Sequence, residues 1–259
     1  MISAQRREQA EISRSAHEAE TAQNKPHLLT SKNTITRYHA PAATTIFPLE
    51  YAFHLLGDVR GKTILEYGCG NGENTVVLAN RGAKIIALDI SAELLAIARK
   101  RLEVNGCHDV DLLLGSAHDL PLADESVDII FGMAILHHLD LHLASHEVLR
   151  VLKKGGRGIF EEPTRNSKLV RTVRRLFPQR ADVSEFERPL TNQEMREFAA
   201  PCRYEAKTFQ LLFSSLASLV PRWSKHAIRL SAQLDAQLLR LVPQLAYYGT
   251  ITVFQMTKE

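Results

Sequence analysis

The sequence has no apolar stretch long enough to cross a lipid bilayer and no paired cysteine spacing. A membrane-spanning helix needs about 18 or more consecutive apolar residues, and no run in this chain approaches that length. The three cysteines are scattered, which excludes the spacing of a disulfide framework or a zinc knuckle. The charged residues near the start leave no apolar core for a signal peptide. These absences favour a protein of the reducing cytoplasm.

Internal repeats and low-complexity tracts are also absent from the sequence. Apolar residues make up 45% of the chain and charged residues 24%, which are ordinary values for a globular protein. The net charge of +3 does not by itself indicate a class of partner. The length of 259 residues suits one large α/β domain with an elaboration.

Short apolar runs alternate with helical patterns in the middle of the chain. The predicted strands cover residues 63–67, 84–88, 110–114, 127–131 and 158–160. Strands separated by helices indicate βαβ units and a parallel sheet. Two further strands are predicted near residues 204–209 and 249–256, each after a helical insertion, at about 164–201 and 211–248.

The residues before the first strand predict a separate extension. Residues 1–24 are rich in Ala, Glu, Gln and Arg and favour a helix that is polar nearly all round. Residues 33–47 read as a turn-rich segment, and residues 48–57 as a short helix that ends at Gly57. We therefore predict an N-terminal helical extension over residues 1–47 and an α/β domain over residues 48–259.

A glycine-rich turn follows the first predicted strand and precedes a helical pattern. Its sequence is Glu66-Tyr67-Gly68-Cys69-Gly70-Asn71-Gly72-Glu73. Glycines let the backbone come close to a ligand, and the N–H groups at a helix start are available donors. A dinucleotide site needs Gly or Ala at the sixth position of the turn, where Glu73 stands. Because a carboxylate there would repel a pyrophosphate, the turn favours a ligand other than NAD.

Three motifs in the right order carry a resemblance to one family. They are the acidic-x-Gly-x-Gly-x-Gly turn at residues 66–72, Gly-Ser-Ala-His-Asp-Leu-Pro-Leu at 115–122, and Asp-Glu-Ser-Val-Asp-Ile-Ile at 124–130. Residues 60–163 thereby resemble the class I S-adenosylmethionine-dependent methyltransferases of the small-molecule type. The resemblance implies an α/β fold with a seven-stranded, doubly wound, Rossmann-like sheet whose last strand is antiparallel. It also implies that residues 33–47 form a lid and that the insertions lie near the substrate.

The resemblance implies S-adenosyl-L-methionine as cofactor and a set of residues that bind it. They are Tyr38, Glu66, Gly68, Cys69, Gly70, Asp89, Ile90, Ser116, Ala117 and Met133. Asp89 ends the second strand, where a carboxylate can accept hydrogen bonds from both ribose hydroxyls of an adenosine. Ser116 stands where the family usually has Asp, and a serine makes a weaker hydrogen bond than a carboxylate to the adenine amino group.

Two adjacent histidines follow the fourth predicted strand. His138 and His137 are the candidate catalytic bases, because an imidazole can take a proton from a hydroxyl or an amine near neutrality. The alternative is that the Leu-His-His-Leu run packs the start of the next helix whatever the substrate. His138, His142 and His146 are four residues apart, a spacing that can hold a metal on a helix. A helix boundary falls inside this series, so we predict no metal site.

Basic residues are concentrated in the two insertions. Lys168, Arg171, Arg174 and Arg175 lie along one side of a predicted helix, interleaved with apolar residues. The pattern is typical first of a solvated cationic face, and also of a surface for peripheral contact with an anionic membrane or for a phosphate of the substrate. No recognition module for nucleic acid is visible, so a nucleic-acid partner is not expected.

The sequence leaves the methyl acceptor open. Methyl transfer is accelerated mainly by aligning the reactants in a dry pocket, so the family often lacks a diagnostic catalytic motif. Residues 133–136 are Met-Ala-Ile-Leu, in place of the Asn-Pro-Pro-Tyr tetrapeptide of enzymes that methylate amino groups of nucleic acids or glutamine. We predict a small acceptor, apolar or lipid-like. The alternatives are an NAD-dependent oxidoreductase and a non-catalytic S-adenosylmethionine-binding module.

Overall fold

A seven-stranded sheet forms the centre of the protein. The computed structural model describes residues 2–23, 28–167, 188–211, 213 and 225–259. The strands are β1 (Thr63–Tyr67), β2 (Lys84–Asp89), β3 (Val110–Leu114), β4 (Val127–Met133), β5 (Leu152–Pro163), β6 (Arg203–Phe209) and β7 (Ile251–Thr257). Their order in the sheet is β3-β2-β1-β4-β5-β7-β6. Strands β1 to β5 are parallel, and β7 runs antiparallel to both of its neighbours. The predicted doubly wound sheet is therefore confirmed.

Helices cover both faces of this sheet. They are α1 (Ile2–Gln23), α2 (Lys32–His39), α3 (Pro48–Leu56), α4 (Glu73–Ala79), α5 (Ala92–Val104), α6 (Leu141–Val151), α7 (Asn192–Ala199) and α8 (Lys225–Leu241), with 3-10 turns at Leu136–His138 and Pro243–Tyr248. Apolar residues of α3, α4 and α5 form one buried cluster with the sheet, and those of α6 and α7 form another. Burial on both faces explains why the parallel strands read as continuous apolar runs.

Side chains at the helix starts define where the helices begin. The Ser91 hydroxyl caps α5 by accepting a hydrogen bond from Leu94 N at 3.1 Å. Asp140 caps α6 in the same way, and Thr191 and Glu194 form a reciprocal capping box at α7. Such caps satisfy N–H groups that have no partner within the helix.

Two local predictions were wrong. Strand β5 is longer than the predicted 158–160, because it spans Leu152–Pro163 and contains the Gly155-Gly156 pair. Pairing with β4 on one side and β7 on the other supplies partners that a short apolar run does not indicate. The segment read as turn-rich contains helix α2, which Ser31 caps by accepting from Thr34 N. The boundary at residue 47 stays a prediction.

Part of the predicted insertions falls outside the described residues. This applies to Lys168, Arg171, Arg174 and Arg175, and to the whole of residues 168–187 and 214–224. Within the described ranges, no helix combines the length and the apolar character needed to span a membrane.

The strand order reverses between β1 and β4. In open α/β sheets a crevice forms at this point, outside the carboxyl ends of the strands, and ligands bind there. The glycine-rich turn after β1 and the histidines after β4 flank this crevice.

Candidate functional site

The glycine-rich turn adopts a conformation that requires its glycines. Gly68 has φ +77°, and a Cβ atom on it would lie 2.8 Å from Cδ1 of Ile135. Gly70 has φ +53°, and no atom lies within 4 Å of the position that its Cβ would take. The first glycine therefore allows close packing of two loops, and the second borders open space that a ligand can enter.

Asp89 holds this turn through its side chain. Its Oδ2 accepts a hydrogen bond from Gly70 N at 2.7 Å, and its Oδ1 accepts one from Ser91 N at 3.0 Å. Since a carboxylate can accept about four hydrogen bonds, these two do not prevent Asp89 from also accepting a ligand hydroxyl. The side chain is buried except for a small exposed part, as expected at the floor of a crevice.

The N–H groups of the turn are largely occupied within the protein. Gly68 N and Cys69 N both donate to the carbonyl of Leu88, and Gly72 N donates to the carbonyl of Cys69. A pyrophosphate site needs such groups to point at the ligand. The turn is therefore not built as an anion cradle, which agrees with the predicted preference against NAD.

Glu66 lies beneath the turn and is almost fully buried. Thr75 Oγ1 donates a hydrogen bond of 2.6 Å to its Oε2. Burial, reinforced by the charge of Asp89, raises the pKa of Glu66 to about 8 despite the Thr75 contact. The carboxyl group is therefore protonated near neutrality, and it supports the turn as a hydrogen-bonding group more than as a charge.

The other predicted cofactor residues lie around the same crevice. Ser116 and Ala117 follow β3, and the Ala117 carbonyl accepts a hydrogen bond from the hydroxyl of Tyr67. Met133 ends β4 next to β1, Ile90 follows β2, and the Tyr38 ring lies 5.1 Å from that of Phe53. Their role in cofactor binding stays a prediction. Ser116, Ala117, Met133 and Ile90 share a location at the strand ends, whereas Tyr38 belongs to α2.

Helix α1 crosses the crevice and brings two carboxylates into it. Glu8 accepts hydrogen bonds from the Ser116 hydroxyl and from His118 Nδ1, the latter at 2.9 Å. Glu11 Oε2 lies 3.0 Å from His138 Nδ1. Although burial opposes ionisation, the close approach of His138 and a hydrogen bond from the neighbouring Arg14 lower the pKa of Glu11 to about 2. Helix α1, which the composition of residues 1–24 predicted, is thus part of the candidate site.

His137 pairs with a carboxylate from β5. Glu162 is fully buried and accepts hydrogen bonds from Ile135 N, Leu136 N and His137 Nδ1, at 2.9, 2.7 and 2.7 Å. The rings of His137 and His138 lie 4.1 Å apart, and both are buried. Glu162 therefore fixes the loop after β4 and the orientation of the His137 ring.

The three histidines that are spaced four residues apart do not share one helix. His138 belongs to the 3-10 turn before α6, whereas His142 and His146 belong to α6.

A cavity of about 630 Å³ opens beside His137. Its apolar lining residues are Leu139, Leu141, Leu149, Leu190 and Phe198. Ala200 also contributes. The polar and charged lining residues are more numerous: Arg7, His137, Asp140, His142, Ser145, His146, Arg188, Glu194 and Glu197. The volume is in the range of small-molecule sites.

Glu161 carries a buried carboxyl oxygen whose partner is missing. Its Oε2 has no hydrogen-bond partner among the described residues. Burial and the neighbouring Glu162 raise the pKa of Glu161 to about 7. Glu161 is opposite Met133 in the register of β4 and β5, so this oxygen lies at the same edge as the glycine-rich turn.

This arrangement of groups fits S-adenosylmethionine better than a dinucleotide. Carboxyl groups at the ends of β2 and β5 favour a ligand with positive groups and hydroxyls, and this cofactor has a sulfonium, an ammonium and a ribose. The orphaned oxygen of Glu161 and the open space beside Gly70 are both consistent with such a ligand. Glu66, Asp89 and Ser116 would hold it on this interpretation.

The sequence motifs led to the turn, Asp89 and the histidine pair, but not to their partners. Glu8, Glu11 and His118 were not recognised, because their contacts join distant parts of the chain. The adjacent acidic residues 161 and 162 at the end of a predicted strand were a signal that could have drawn attention to that edge.

Comparison with known proteins supports the same interpretation. Residues 65–160 match the family model described as a methyltransferase domain. The demethylmenaquinone methyltransferase of Lactococcus lactis is 28% identical over 181 residues, which cover 66% of this chain and 71% of the relative. An uncharacterized methyltransferase of Mycobacterium tuberculosis is 36% identical over 96 residues, and the match spans 37% of either protein.

A solved structure extends the likeness of fold beyond the motifs. Geranyl diphosphate C-methyltransferase from Streptomyces coelicolor aligns with a TM-score of 0.54 and 18% identity, over 80% of this chain and 76% of that one. At this identity the likeness concerns the fold alone. The motifs, the topology and the family match agree: residues 65–160 form the core of a class I S-adenosylmethionine-dependent methyltransferase domain, and S-adenosylmethionine is its cofactor.

Proposed function

We propose that the protein methylates a small acceptor that is apolar or lipid-like. The observation that carries this proposal is the apolar part of the cavity of about 630 Å³ beside His137, which four leucines, Phe198 and Ala200 form next to nine polar or charged lining residues. A fully polar acceptor would gain little from such a lining, whereas burying apolar surface stabilises binding by about 25 cal/mol per Å². The cofactor supplies a methyl group on a sulfonium. The protein supplies alignment and a dry site.

The two histidines are the groups suited to receive a proton from the acceptor. Glu162 orients His137 and would stabilise its protonated form, and Glu11 would do the same for His138. His138 was the first choice from the sequence. The cavity favours His137, because His137 is among its lining residues.

The names of two related proteins agree with this class of acceptor. One is named for demethylmenaquinone and the other for geranyl diphosphate, and both compounds are small molecules. The three free cysteines suit a reducing compartment, and we propose the cytoplasm as its location.

The function is tested by screening acceptor classes with purified protein and S-adenosylmethionine. Quinols and phenols, isoprenoid diphosphates and water-soluble amines are each incubated with the enzyme, and S-adenosylhomocysteine formation is measured. We expect turnover with an apolar class, and we expect His137→Gln to reduce kcat by about 10²-fold or more with the same acceptor. The exposed His108→Gln variant, which lies outside this cavity, is the control. Turnover of water-soluble amines alone would contradict the apolar acceptor, and cofactor binding without turnover of any class would favour a binding module.

We further propose that the basic first insertion contacts anionic membranes, from which an apolar acceptor could be drawn. Binding to vesicles that contain phosphatidylserine is expected at low salt and is expected to fade as salt screens the charges. Replacing Arg171, Arg174 and Arg175 by alanine should remove it, since each basic residue near the surface contributes about 1 kcal/mol. Co-sedimentation measures the bound fraction, with neutral phosphatidylcholine vesicles as control. Protein that stays in the supernatant at low salt would refute membrane contact and leave a soluble acceptor.

A further inference from the structure

A carboxylate from α1 lies beside the residue assigned to the adenine ring. Glu8 Oε1 accepts hydrogen bonds from the Ser116 hydroxyl and from His118 Nδ1. These residues are 108 and 110 positions from Glu8 in the chain. The Ser116 oxygen also accepts a hydrogen bond of 3.0 Å from His118 N. The Ser116 hydroxyl therefore donates its single proton to Glu8, and one lone pair of the Ser116 oxygen accepts the hydrogen bond from His118 N.

The contacts of His118 define its tautomer and hold Glu8 in position. His118 Nε2 lies 2.9 Å from Asp140 N, which can only donate. Nε2 is therefore the acceptor, and in the neutral ring Nδ1 carries the proton that is donated to Glu8. The hydrogen bonds from Ser116 and His118 outweigh the opposing effect of burial and lower the pKa of Glu8. Glu8 is thus a charged acceptor at neutral pH.

Only one oxygen of this carboxylate is used. Both hydrogen bonds of Glu8 end on Oε1, and the Glu8 side chain is 27% exposed. Oε2 accepts no hydrogen bond within the described part of the chain, which leaves a charged acceptor at the edge of the sheet beside Ser116.

The rest of α1 keeps Glu8 in this position. Ser15 and Ala19 are buried, and Ala19 packs against Leu94 and Ile97 of α5. Glu11, one turn after Glu8, pairs with His138 on the other side of the crevice. Helix α1 is therefore held in its second half by the buried Ser15 and Ala19, and at the crevice by the contact of Glu11 with His138.

We propose that Glu8 recognises the exocyclic amino group of the cofactor's adenine, as an acceptor that Ser116 positions. A serine at 116 makes only a weak contact with that group, and the carboxylate bound to its hydroxyl supplies the charged acceptor from another part of the chain. The inference rests on the cofactor of the proposed function and does not depend on the methyl acceptor.

The test compares two ligands that differ at the adenine amino group. Isothermal titration calorimetry is carried out with S-adenosylhomocysteine and with S-inosylhomocysteine, in which an oxo group replaces the amino group and N1 carries a hydrogen. The change in preference between the wild-type protein and Glu8→Gln isolates the part that is due to Glu8. The wild-type protein is expected to prefer S-adenosylhomocysteine by on the order of tenfold, because the carboxylate accepts from the amino group and repels the oxo group. In Glu8→Gln this preference should fall at least about fivefold, since an amide is a weaker acceptor and can donate to the oxo group.

Glu11→Gln is the matched control, because it lies on the same helix but contacts His138. It should leave the preference between the two ligands unchanged, even if both bind more weakly. The double variant Glu8→Ala, Ser116→Asp returns a carboxylate to the site and should restore the preference. Ser116→Asp alone should weaken both ligands, since it faces Glu8 with a like charge.

Three results would overturn the proposal. Tighter binding of S-adenosylhomocysteine by Glu8→Gln would mean that Glu8 competes with the adenine. An unchanged preference in that variant would mean that the amino group is recognised elsewhere. Failure of the wild-type protein to bind S-adenosylhomocysteine would refute the cofactor assignment itself, which distinguishes that failure from the failure of Glu8 alone.

Discussion

The folded protein is expected to lose stability as the pH rises from about 5 to about 8, and Glu66→Gln and Glu161→Gln should each reduce that loss. Burial raises the pKa of Glu66 to about 8 and that of Glu161 to about 7, from an ordinary value of 4.5. Between the ordinary and the raised pKa, the folded state holds a proton that the unfolded state has released. Stability therefore falls with pH in this window and is level above it.

The expected size follows from the same shifts. One pKa unit corresponds to about 1.4 kcal/mol, and allowing for relaxation of the folded state we expect each group to contribute roughly 2–4 kcal/mol across its window. Glutamine keeps the shape and the acceptor oxygen of a protonated carboxyl group, so Thr75 can still donate to residue 66. The pKa of Glu11 is lowered to about 2, so this group changes the stability only at pH values more acidic than this window. It does not offset the loss of stability at higher pH.

Urea unfolding of each variant at pH 5 and pH 8.5 measures this effect. The exposed Glu103→Gln variant is the control and should follow the wild-type protein at both values. A Glu66→Gln protein that loses as much stability as the wild type between pH 5 and pH 8.5 would show that this carboxyl group is not held protonated.

Replacing Asp89 by alanine is expected to weaken S-adenosylmethionine binding by about 1.5–3 kcal/mol, the scale of hydrogen bonds to a charged group. Two effects act in the same direction. The variant lacks the proposed acceptor of the ribose hydroxyls, and Gly70 N loses the carboxylate that holds the turn at 2.7 Å. Asp89→Asn should lose less, because its amide oxygen can still accept from one backbone N–H.

Calorimetry with S-adenosylhomocysteine measures the loss, and circular dichroism checks that each variant is folded. NAD titrated into the wild-type protein is the control for ligand class and should give no binding heat. Unchanged affinity for S-adenosylhomocysteine in a folded Asp89→Ala protein would refute the assignment of the ribose to this residue.

Local patterns were sufficient for the fold and for the cofactor class. The alternation of apolar runs and helical segments predicted the sheet, and three motifs between residues 66 and 130 predicted the site at its edge. These features are contiguous in sequence, since a strand, a tight turn and a helix start are each specified by neighbouring residues. The ends of β5 were missed because pairing with the distant strand β7 decides them. Helix α2 was missed because its start depends on a single capping serine.

The tertiary structure alone decided which carboxylates meet which histidines. Glu8 and Glu11 looked like residues of a polar helix, and nothing near them in sequence indicates that they face His118 and His138. Their position depends on how α1 docks on α5, through small buried side chains that carry almost no sequence signal. The strand and loop motifs thus determined what kind of ligand this protein binds. The docking of a helix more than 100 residues away decided which carboxylates lie at the crevice, because such contacts arise only when distant surfaces are buried together.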